Sequence, residues 1–241
     1  LFVKSRRPVL EPPAARPIDR ELADRGSVEL IEGGRPRFPE WIAGRDSELT
    51  RSDDGRDLAL RATVGAFLDL ASGLKVDGFR LKAEMKLEGD GPAGIYFCRD
   101  EQIAGGVRYQ LVANAYLVSR VLQPLTPPGM DHLTFGMHAI QTTPISGPYS
   151  APIKSVDVKA SDDGFQHVEV VVTSERIGAS INGAVLASVP RIHLIRQVTV
   201  LAAGDPKFNS LTPTFPASGG IGIFGFYSTL HIRSMRIERL T

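Results

Sequence analysis

The 241-residue chain lacks several features that would assign a protein to a class. Its lone cysteine, Cys98, excludes an internal disulfide framework but leaves the cellular compartment open. Basic and acidic side chains balance at 28 to 27, which excludes a general nucleic-acid-binding protein. No complete membrane span or signal segment lies within the chain, and no long stretch shows the periodicity of an amphipathic helix.

Short segments with alternating apolar and polar residues are abundant. From Phe79 to Leu87 every second residue is apolar and the residues between them are charged, which is typical of a half-buried antiparallel strand. Asn182-Gly183 is the typical sequence of a type I′ hairpin turn between two further strands. Because such strands occur without βαβ alternation, the sequence predicts an all-β sandwich of two antiparallel sheets.

The last segment, GGIGIFGFYSTLHIRSMRIERLT (residues 219–241), is the most strongly patterned of all. Leu230 and Ile232 share one parity, whereas Met235 and Ile237 share the other. A β-bulge near Arg233–Ser234 would bring all four side chains to one face. We therefore predict a central strand that pairs with strands far back in the sequence.

The composition divides the chain into a proline-rich linker, residues 1–18, and a single β-sandwich domain, residues 19–241. Residues 18–26 have the composition of one or two helical turns. The apolar start followed by Lys4, Arg6 and Arg7 fits the end of a membrane anchor and fits a processing boundary equally well. A membrane anchor or an upstream domain before Leu1 therefore stays open as a partner.

Two proline-rich stretches, residues 123–152 and 204–220, are predicted as long loops. Long loops on a compact scaffold often carry binding residues. The first loop contains His132 and His138, whose spacing matches no standard metal site, so the sequence predicts no metal and no cofactor.

Four segments, in this order, resemble the 3-keto-disaccharide hydrolase domain family. They are FRLKAEMKLEGDGPAGIYFC, VRYQLV, DDGFQHVEVVVTSERIGASINGAVL and GGIGIFGFYSTLHIRSMRIERL. The resemblance covers roughly residues 77–240. It implies a concanavalin A-like jelly roll with a concave sheet that holds a carbohydrate, and an enzyme that cleaves 3-keto-glycosides.

The chain departs from that family where carboxylates are expected, because Gln110 and Asn114 are amides and an amide cannot exchange protons as an acid or base. Amides, arginine and aromatic rings are the groups that hydrogen-bond and stack on sugars. Strand parity points neighbouring residues in opposite directions, so not all candidates can share one face. The candidate ligand-binding residues are Tyr96, Arg99, Tyr109, Gln110 and Asn114.

Three functions remain open. The first is an extracytoplasmic carbohydrate-binding module, periplasmic, cell-surface or secreted, within a larger or membrane-anchored protein. The second is a glycoside hydrolase of the 3-keto type, and the third is a protein-interaction module of an envelope assembly. Glu84 and Glu88 lie on one face of a predicted strand, but lysines alternate with them, so we interpret that face as solvated rather than catalytic.

Overall fold

The structure is a computed structural model. It describes residues 17–38, 41–43, 47–52, 54–62, 66–70, 74, 76–119, 122–128, 130–142, 145–159 and 161–240. Residues 1–16, which make up most of the predicted linker, lie outside this part of the chain. Within it, no helix is long and apolar enough to cross a membrane.

Strands dominate the described residues. In chain order they are β1 (Ser27–Glu32), β2 (Arg35–Pro36), β3 (Trp41–Ala43), β4 (Ser47–Arg51), β5 (Leu58–Ala62), β6 (Ala66–Leu70), β7 (Phe79–Gly89), β8 (Ala93–Ala104), β9 (Val107–Val118), β10 (Met130–Thr142), β11 (Ile145–Lys159), β12 (Gln166–Val172), β13 (Arg176–Ile181), β14 (Ala184–Pro190), β15 (Gly220–Gly225) and β16 (Ser228–Arg239). The helices are α1 (Pro17–Arg25), α2 (Arg191–Gly204) and a 3-10 helix (Pro206–Ser210). The predicted N-terminal helical turns are thus confirmed as α1.

The strands form two antiparallel sheets that pack face to face, which confirms the predicted sandwich. The first sheet has the order β14-β13-β12-β7-β16-β1-β2, and β5 pairs with both β16 and β4. The second sheet has the order β11-β10-β9-β8-β15-β6-β3. Between them lies one core of buried side chains from both sheets; among the largest are Phe79, Phe97, Tyr109 and Phe135.

The last strand is central, as predicted. β16 pairs with β7 along one edge, and along the other it pairs first with β5 and then with β1. Its register with β7 shifts between Ile232 and Ser234, which confirms the predicted bulge. Because the bulge resets the parity, Leu230, Ile232, Met235 and Ile237 are all fully buried. A strand between β7 and β1 ties together segments about two hundred residues apart.

The Asn182-Gly183 hairpin is also confirmed. Both residues have positive φ, 49° and 80°, as a type I′ turn requires, and they join β13 to β14. The Asn182 side-chain oxygen accepts a hydrogen bond from the His167 backbone N–H at 2.9 Å. The turn is therefore anchored to β12 as well.

The first predicted loop is wrong in large part. Residues 130–142 and 145–159 are β10 and β11, the longest antiparallel pair of the second sheet. Prolines within this stretch favoured a loop, but Pro148 and Pro152 lie on β11, an edge strand. An edge strand tolerates proline because the missing N–H can face away from the sheet.

The segment VTVLAA, residues 198–203, is predicted as a strand but belongs to α2. Its β-branched residues favoured the wrong assignment, as did the narrow apolar stripe of the helix, in which only Leu194 and Val198 are buried. Both residues reach the main core, where the adjoining 3-10 helix contributes Phe208. Tertiary burial therefore overrides local propensity here.

Candidate functional site

The outer face of the second sheet, which points away from the core, carries an unusual row of residues. Tyr96 of β8 lies opposite Asn114 of β9 in the strand register. Continuing outward, Asn114 lies opposite Gly136 of β10, and Tyr96 lies opposite Gly222 of β15. Across four strands this row therefore reads Gly222, Tyr96, Asn114 and Gly136. Of these four residues, only Tyr96 and Asn114 carry a side chain.

The next row places two aromatic rings on either side of a glycine. Phe224 of β15 and Tyr116 of β9 both lie opposite Gly94 of β8. A methyl group at Gly94 would lie 2.3 Å from the Ala115 carbonyl oxygen and 2.6 Å from Cβ of Tyr116. Only glycine fits this close approach, and above it the Tyr116 and Phe224 rings come within 6.0 Å of each other.

His138 of β10 contributes a third ring near Tyr116 and Phe224. It lies opposite Val112, so the Tyr96–Asn114 row runs between the row of His138 and the row of Phe224. The His138 ring centroid is nevertheless 5.1 Å from Tyr116 and 5.6 Å from Phe224. Phe226 packs 5.9 Å from Phe224. We call Tyr116, His138, Phe224 and Phe226 the aromatic cluster.

Polar atoms are buried at this cluster without partners. Asn114 is 0% exposed and Tyr96 is 3% exposed. Within the described residues, neither the amide nitrogen nor the amide oxygen of Asn114 has a hydrogen-bond partner, and the Tyr96 hydroxyl has none. Leaving such a group unsatisfied costs about 1–3 kcal/mol of stability. Buried polar groups are otherwise almost always paired, so this pair calls for a functional explanation.

The site carries little formal charge. Burial lowers the pKa of His138 to about 4, because the protonated imidazolium would lose its hydration. His138 is therefore neutral at physiological pH. It offers an aromatic face and hydrogen-bonding nitrogens, but no cation.

A cavity of about 360 Å³ lies on the first sheet and one of about 260 Å³ beside the aromatic cluster. The described lining of the second cavity includes five strand residues, Tyr116, Val118, Thr134, His138 and Ser155, together with Pro92 and Pro152. The segment after β9 adds Leu122 and Gln123. This cavity combines aromatic, hydroxyl and amide groups, as small-molecule sites do.

Polar pairs flank this cavity on β10 and β11. The hydroxyls of Thr134 and Ser155 lie 2.9 Å apart. One step along the same face, His132 Nδ1 lies 2.7 Å from the Asp157 carboxylate, which also accepts a hydrogen bond from the Thr126 hydroxyl at 3.3 Å. The carboxylate nearest to the cavity on β11 is thus already engaged.

The larger cavity, on the outer face of the first sheet, has a different character. Side chains that line it contact one another: Arg236 lies 3.5 Å from Glu29, and His167 Nδ1 lies 3.4 Å from a carboxylate oxygen of Glu84. Outside the described lining, on the same strand, Glu88 accepts a hydrogen bond from Lys86 at 2.9 Å, which is the leading cause of the lowered pKa of Glu88. Such pairs are typical of a strand face in contact with solvent, and each carboxylate among the described lining residues lies close to a basic side chain.

The structure separates the five residues proposed from sequence. Tyr96 and Asn114 come together in one row. Tyr109 lies on the opposite face, 1% exposed in the core with its ring 5.3 Å from Phe208, so we leave it out of the site. Gln110 lies near Glu101, with 3.5 Å between the amide nitrogen and the carboxylate oxygen.

Arg99 lies beyond a bulge in β8 at Cys98, which has a φ of 54°. Its guanidinium packs on Gly220, where a methyl group would come within 2.7 Å of Arg99 Nε. In the strand register Arg99 lies opposite Gly220 and Gln110 opposite Glu101, so neither is in the row of Tyr96 and Asn114.

Sequence reasoning missed Tyr116, His138 and Phe224 as site residues. Tyr116 has the same parity as Asn114, two residues away, so alternation along β9 could have found it. His138 lies in the first predicted loop, and only the observed strand β10 places it on this face of the sheet. No group of three or more His, Cys, Asp or Glu side chains in the described part of the chain is arranged as a metal site.

No known protein-family profile matches the chain, and no curated protein matches it in sequence. Solved structures do match. A Bacillus subtilis protein of unknown function with a galectin-like fold is 10% identical, with 83% of this chain and 89% of that chain covered and a TM-score of 0.53. The VIP36 exoplasmic/lumenal domain with Ca²⁺ and Man3GlcNAc bound is 12% identical, with 88% of each chain covered and a TM-score of 0.51.

The apo Crh5 transglycosylase is 9% identical, with 90% of this chain and 85% of that chain covered and a TM-score of 0.50. The fold is a concanavalin-like jelly roll. This confirms the predicted fold class, while the 3-keto-disaccharide hydrolase resemblance is supported only as far as the fold. Because the matched structures include a glycan-bound domain and a transglycosylase, the fold does not choose between binding and catalysis.

Proposed function

We propose that this chain is a carbohydrate-binding module and that its ligand binds at the aromatic cluster. The observation that carries the proposal is the unpartnered Asn114 amide, buried beside Tyr96 among aromatic rings. An amide offers one acceptor and two donor hydrogens, which can pair with the hydroxyls of a sugar. The aromatic faces suit the apolar faces of a sugar ring.

The cavity beside Tyr116 and His138 is the proposed entrance. Asn114 is fully buried and is not among the described lining residues of the cavity, so the proposal includes a separation of the Tyr116 and His138 rings that opens a path to its amide. The two ring centroids lie 5.1 Å apart with the ring planes tilted by 42°, a contact between rings that contributes about 0.5–1.5 kcal/mol. A bound ligand that satisfies three buried polar atoms would offset that contact.

The extracytoplasmic, modular setting belongs to the same proposal. It is supported by the proline-rich composition of residues 1–18 and by the match to a domain described as exoplasmic or lumenal. The proposed arrangement is a single domain, residues 19–241, joined through that linker to a membrane anchor or an upstream domain.

A second candidate is a glycoside-cleaving enzyme of the 3-keto type. One observation favours it: in the register of β6 and β15, Asp69 lies opposite Gly222, in the row that contains Tyr96 and Asn114. None of the described residues that line the cavity is a carboxylate, whereas glycoside cleavage usually uses two. Binding is therefore the better-supported function.

The experiment is a glycan array combined with thermal-shift measurements that include 3-keto-glucosides, followed by mass spectrometry of each ligand. We expect binding without cleavage. Asn114→Leu should weaken that binding at least 100-fold, because it removes the polar atoms and keeps the volume. Gln110→Leu, on the same face of the same strand, is the matched control and should bind within threefold of the unchanged chain.

Cleavage in the mass spectrum that disappears in Asp69→Asn would establish the enzyme instead. Binding that survives Asn114→Leu would place the site elsewhere. If no ligand shifts the melting temperature, the carbohydrate proposal fails and the protein-interaction module becomes the function to test.

A further inference from the structure

Three polar atoms on the outer face of the second sheet have no hydrogen-bond partner in the described part of the chain. They are the amide nitrogen and amide oxygen of Asn114 and the hydroxyl oxygen of Tyr96. The two residues lie opposite each other on β9 and β8, so their side chains project side by side from one face. A ligand that satisfies them needs a donor for the amide oxygen and an acceptor for the amide nitrogen and the hydroxyl.

Aromatic rings meet across this pair of residues. Tyr116 and Phe224 belong to the row on one side of the pair, and His138 belongs to the row on the other side. The His138 ring centroid nevertheless lies 5.1 Å from that of Tyr116 and 5.6 Å from that of Phe224. The pair itself is buried, with Asn114 0% exposed and Tyr96 3% exposed. A group that pairs with these atoms would therefore lie between the rings and the sheet, in contact with aromatic carbon.

An acetamido group has the shape and the polar atoms that this position requires. A secondary amide is planar and trans, so its N–H donor and its carbonyl acceptor point from opposite edges of a flat group. The N–H can donate to the Asn114 amide oxygen, while the carbonyl accepts from the Tyr96 hydroxyl. The Asn114 amide nitrogen can donate to a neighbouring hydroxyl of the sugar. The methyl group of the acetamido group is apolar and suits the faces of aromatic rings.

A sugar hydroxyl is less well suited to the same position. It is bonded to the sugar ring directly or through one methylene, so burying its oxygen brings the thicker, puckered ring between the aromatic side chains as well. It offers a single oxygen, whereas an acetamido group presents a separate donor and acceptor. The acetamido arm lets the sugar ring stay at the cavity, where the hydroxyls of Thr134 and Ser155, 2.9 Å apart, belong to the lining.

From these observations we infer that the site recognises the acetamido group of an N-acetylated sugar. This inference rests on the proposed carbohydrate-binding function and names the ligand class for that same site. The selecting features are the Asn114 amide, the Tyr96 hydroxyl and the aromatic rings that meet across them.

The test compares matched sugars that differ only in the group at carbon 2. The methyl glycoside of N-acetylglucosamine is paired with that of glucose, and the methyl glycoside of N-acetylgalactosamine with that of galactose. Dissociation constants are measured by isothermal titration calorimetry at pH 7. In at least one pair the acetylated sugar should bind at least tenfold more tightly than its partner.

The two ways of failing are distinguishable. A smaller difference in every pair that binds overturns the inference alone, and so does a glycan array on which only sugars without an acetamido group bind. If no sugar of the pairs or of the array binds, the carbohydrate function itself is rejected.

A substitution that removes one of the selecting atoms sharpens the test. Tyr96→Phe keeps the ring and removes the hydroxyl that donates to the acetamido carbonyl. The affinity for the acetylated sugar should fall at least fivefold, and that for its partner less than twofold. Tyr227→Phe is the matched control, because Tyr227 is 64% exposed and is not among the described lining residues of the cavity. Equal losses for both sugars in Tyr96→Phe, or no loss for either, would show that this hydroxyl does not recognise the acetamido group.

Discussion

The outer faces of the two sheets carry different kinds of side chain. The first sheet covers its outer face with ion pairs: Glu238, for example, lies 3.1 Å from Lys82 and 3.6 Å from Arg80. The second sheet buries aromatic rings on its outer face, and the Asn114 amide and the Tyr96 hydroxyl have no hydrogen-bond partner among the described residues. The first face carries mainly ion pairs, although Arg80 Nε and His231 Nε2 lack hydrogen-bond partners in the described part of the chain, whereas the unpartnered atoms of the second face belong to uncharged side chains.

This difference separates the charged side chains of the first sheet from the proposed site on the second sheet. Carboxylates are numerous on the first sheet, but nearby cations satisfy them there. A ligand gains most where polar atoms are buried and still unpaired, because it then satisfies groups that water cannot reach. We therefore expect substitutions on the two faces to change the free energy of unfolding by different amounts and in some cases in opposite directions.

The largest expected effect concerns His138 and pH. Its folded-state pKa of about 4 lies below the ordinary value of 6.5, so the unfolded chain binds the proton first. The stabilising contribution is complete above about pH 6.5 and is lost as the pH falls towards 4, by roughly 3 kcal/mol in all. Urea denaturation at pH 7, 6, 5 and 4 measures this loss.

His138→Phe is the control for that prediction, because it keeps a ring and removes the titrating group. Carboxylates that titrate at low pH affect both proteins equally, so the difference between them isolates His138. Parallel stability curves for the two proteins would contradict the assigned burial of the imidazole.

Tyr96→Phe should produce a smaller effect of opposite sign. Removing an unpartnered buried hydroxyl while keeping the ring should raise the free energy of unfolding by about 1 kcal/mol. The same change should weaken ligand binding, so that stability and function move in opposite directions. Thermal and urea denaturation give the stability, and Tyr227→Phe, at a residue 64% exposed, should change it by less than about 0.5 kcal/mol. Destabilisation by Tyr96→Phe would mean that the hydroxyl has a partner.

The smallest effect is expected on the first sheet. The hydrogen bond from Lys82 leads the causes that lower the pKa of Glu238, whose side chain is 24% exposed. Glu238→Gln should therefore reduce stability by no more than about 1 kcal/mol, because solvent screens such pairs. Repeating the denaturation in 1 M NaCl should shrink the difference further. A large, salt-independent loss would show that this face is not the solvated surface described here.

The local sequence pattern was sufficient to predict several structural elements. Alternation from Phe79 to Leu87 predicted β7, the Asn182-Gly183 pair predicted the hairpin, and the change of parity after Ile232 predicted the bulge. Each of these depends on contacts or dihedral angles within a few residues, so the local sequence contains the required information.

Elements that depend on distant contacts were predicted poorly. Proline at Pro148 and Pro152 indicated a loop because the sequence does not say that β11 is an edge strand. The residues of α2 favoured a strand until burial of Leu194 and Val198 against the core decided for a helix. The proposed site shows the same limit. Tyr96 and Asn114 were among the candidates predicted from sequence, whereas His138 lies in a predicted loop and joins them only through the pairing of β10 with β9.

The sequence alone determined the all-β class, the bulged last strand and the alternation that gives each sheet two distinct faces. It could do so because period-two burial and turn chemistry are local properties. Only the tertiary structure decided which outer face is buried and which is solvated. It also decided which polar groups remain unpaired, because burial and hydrogen bonding depend on strands brought together from distant parts of the chain.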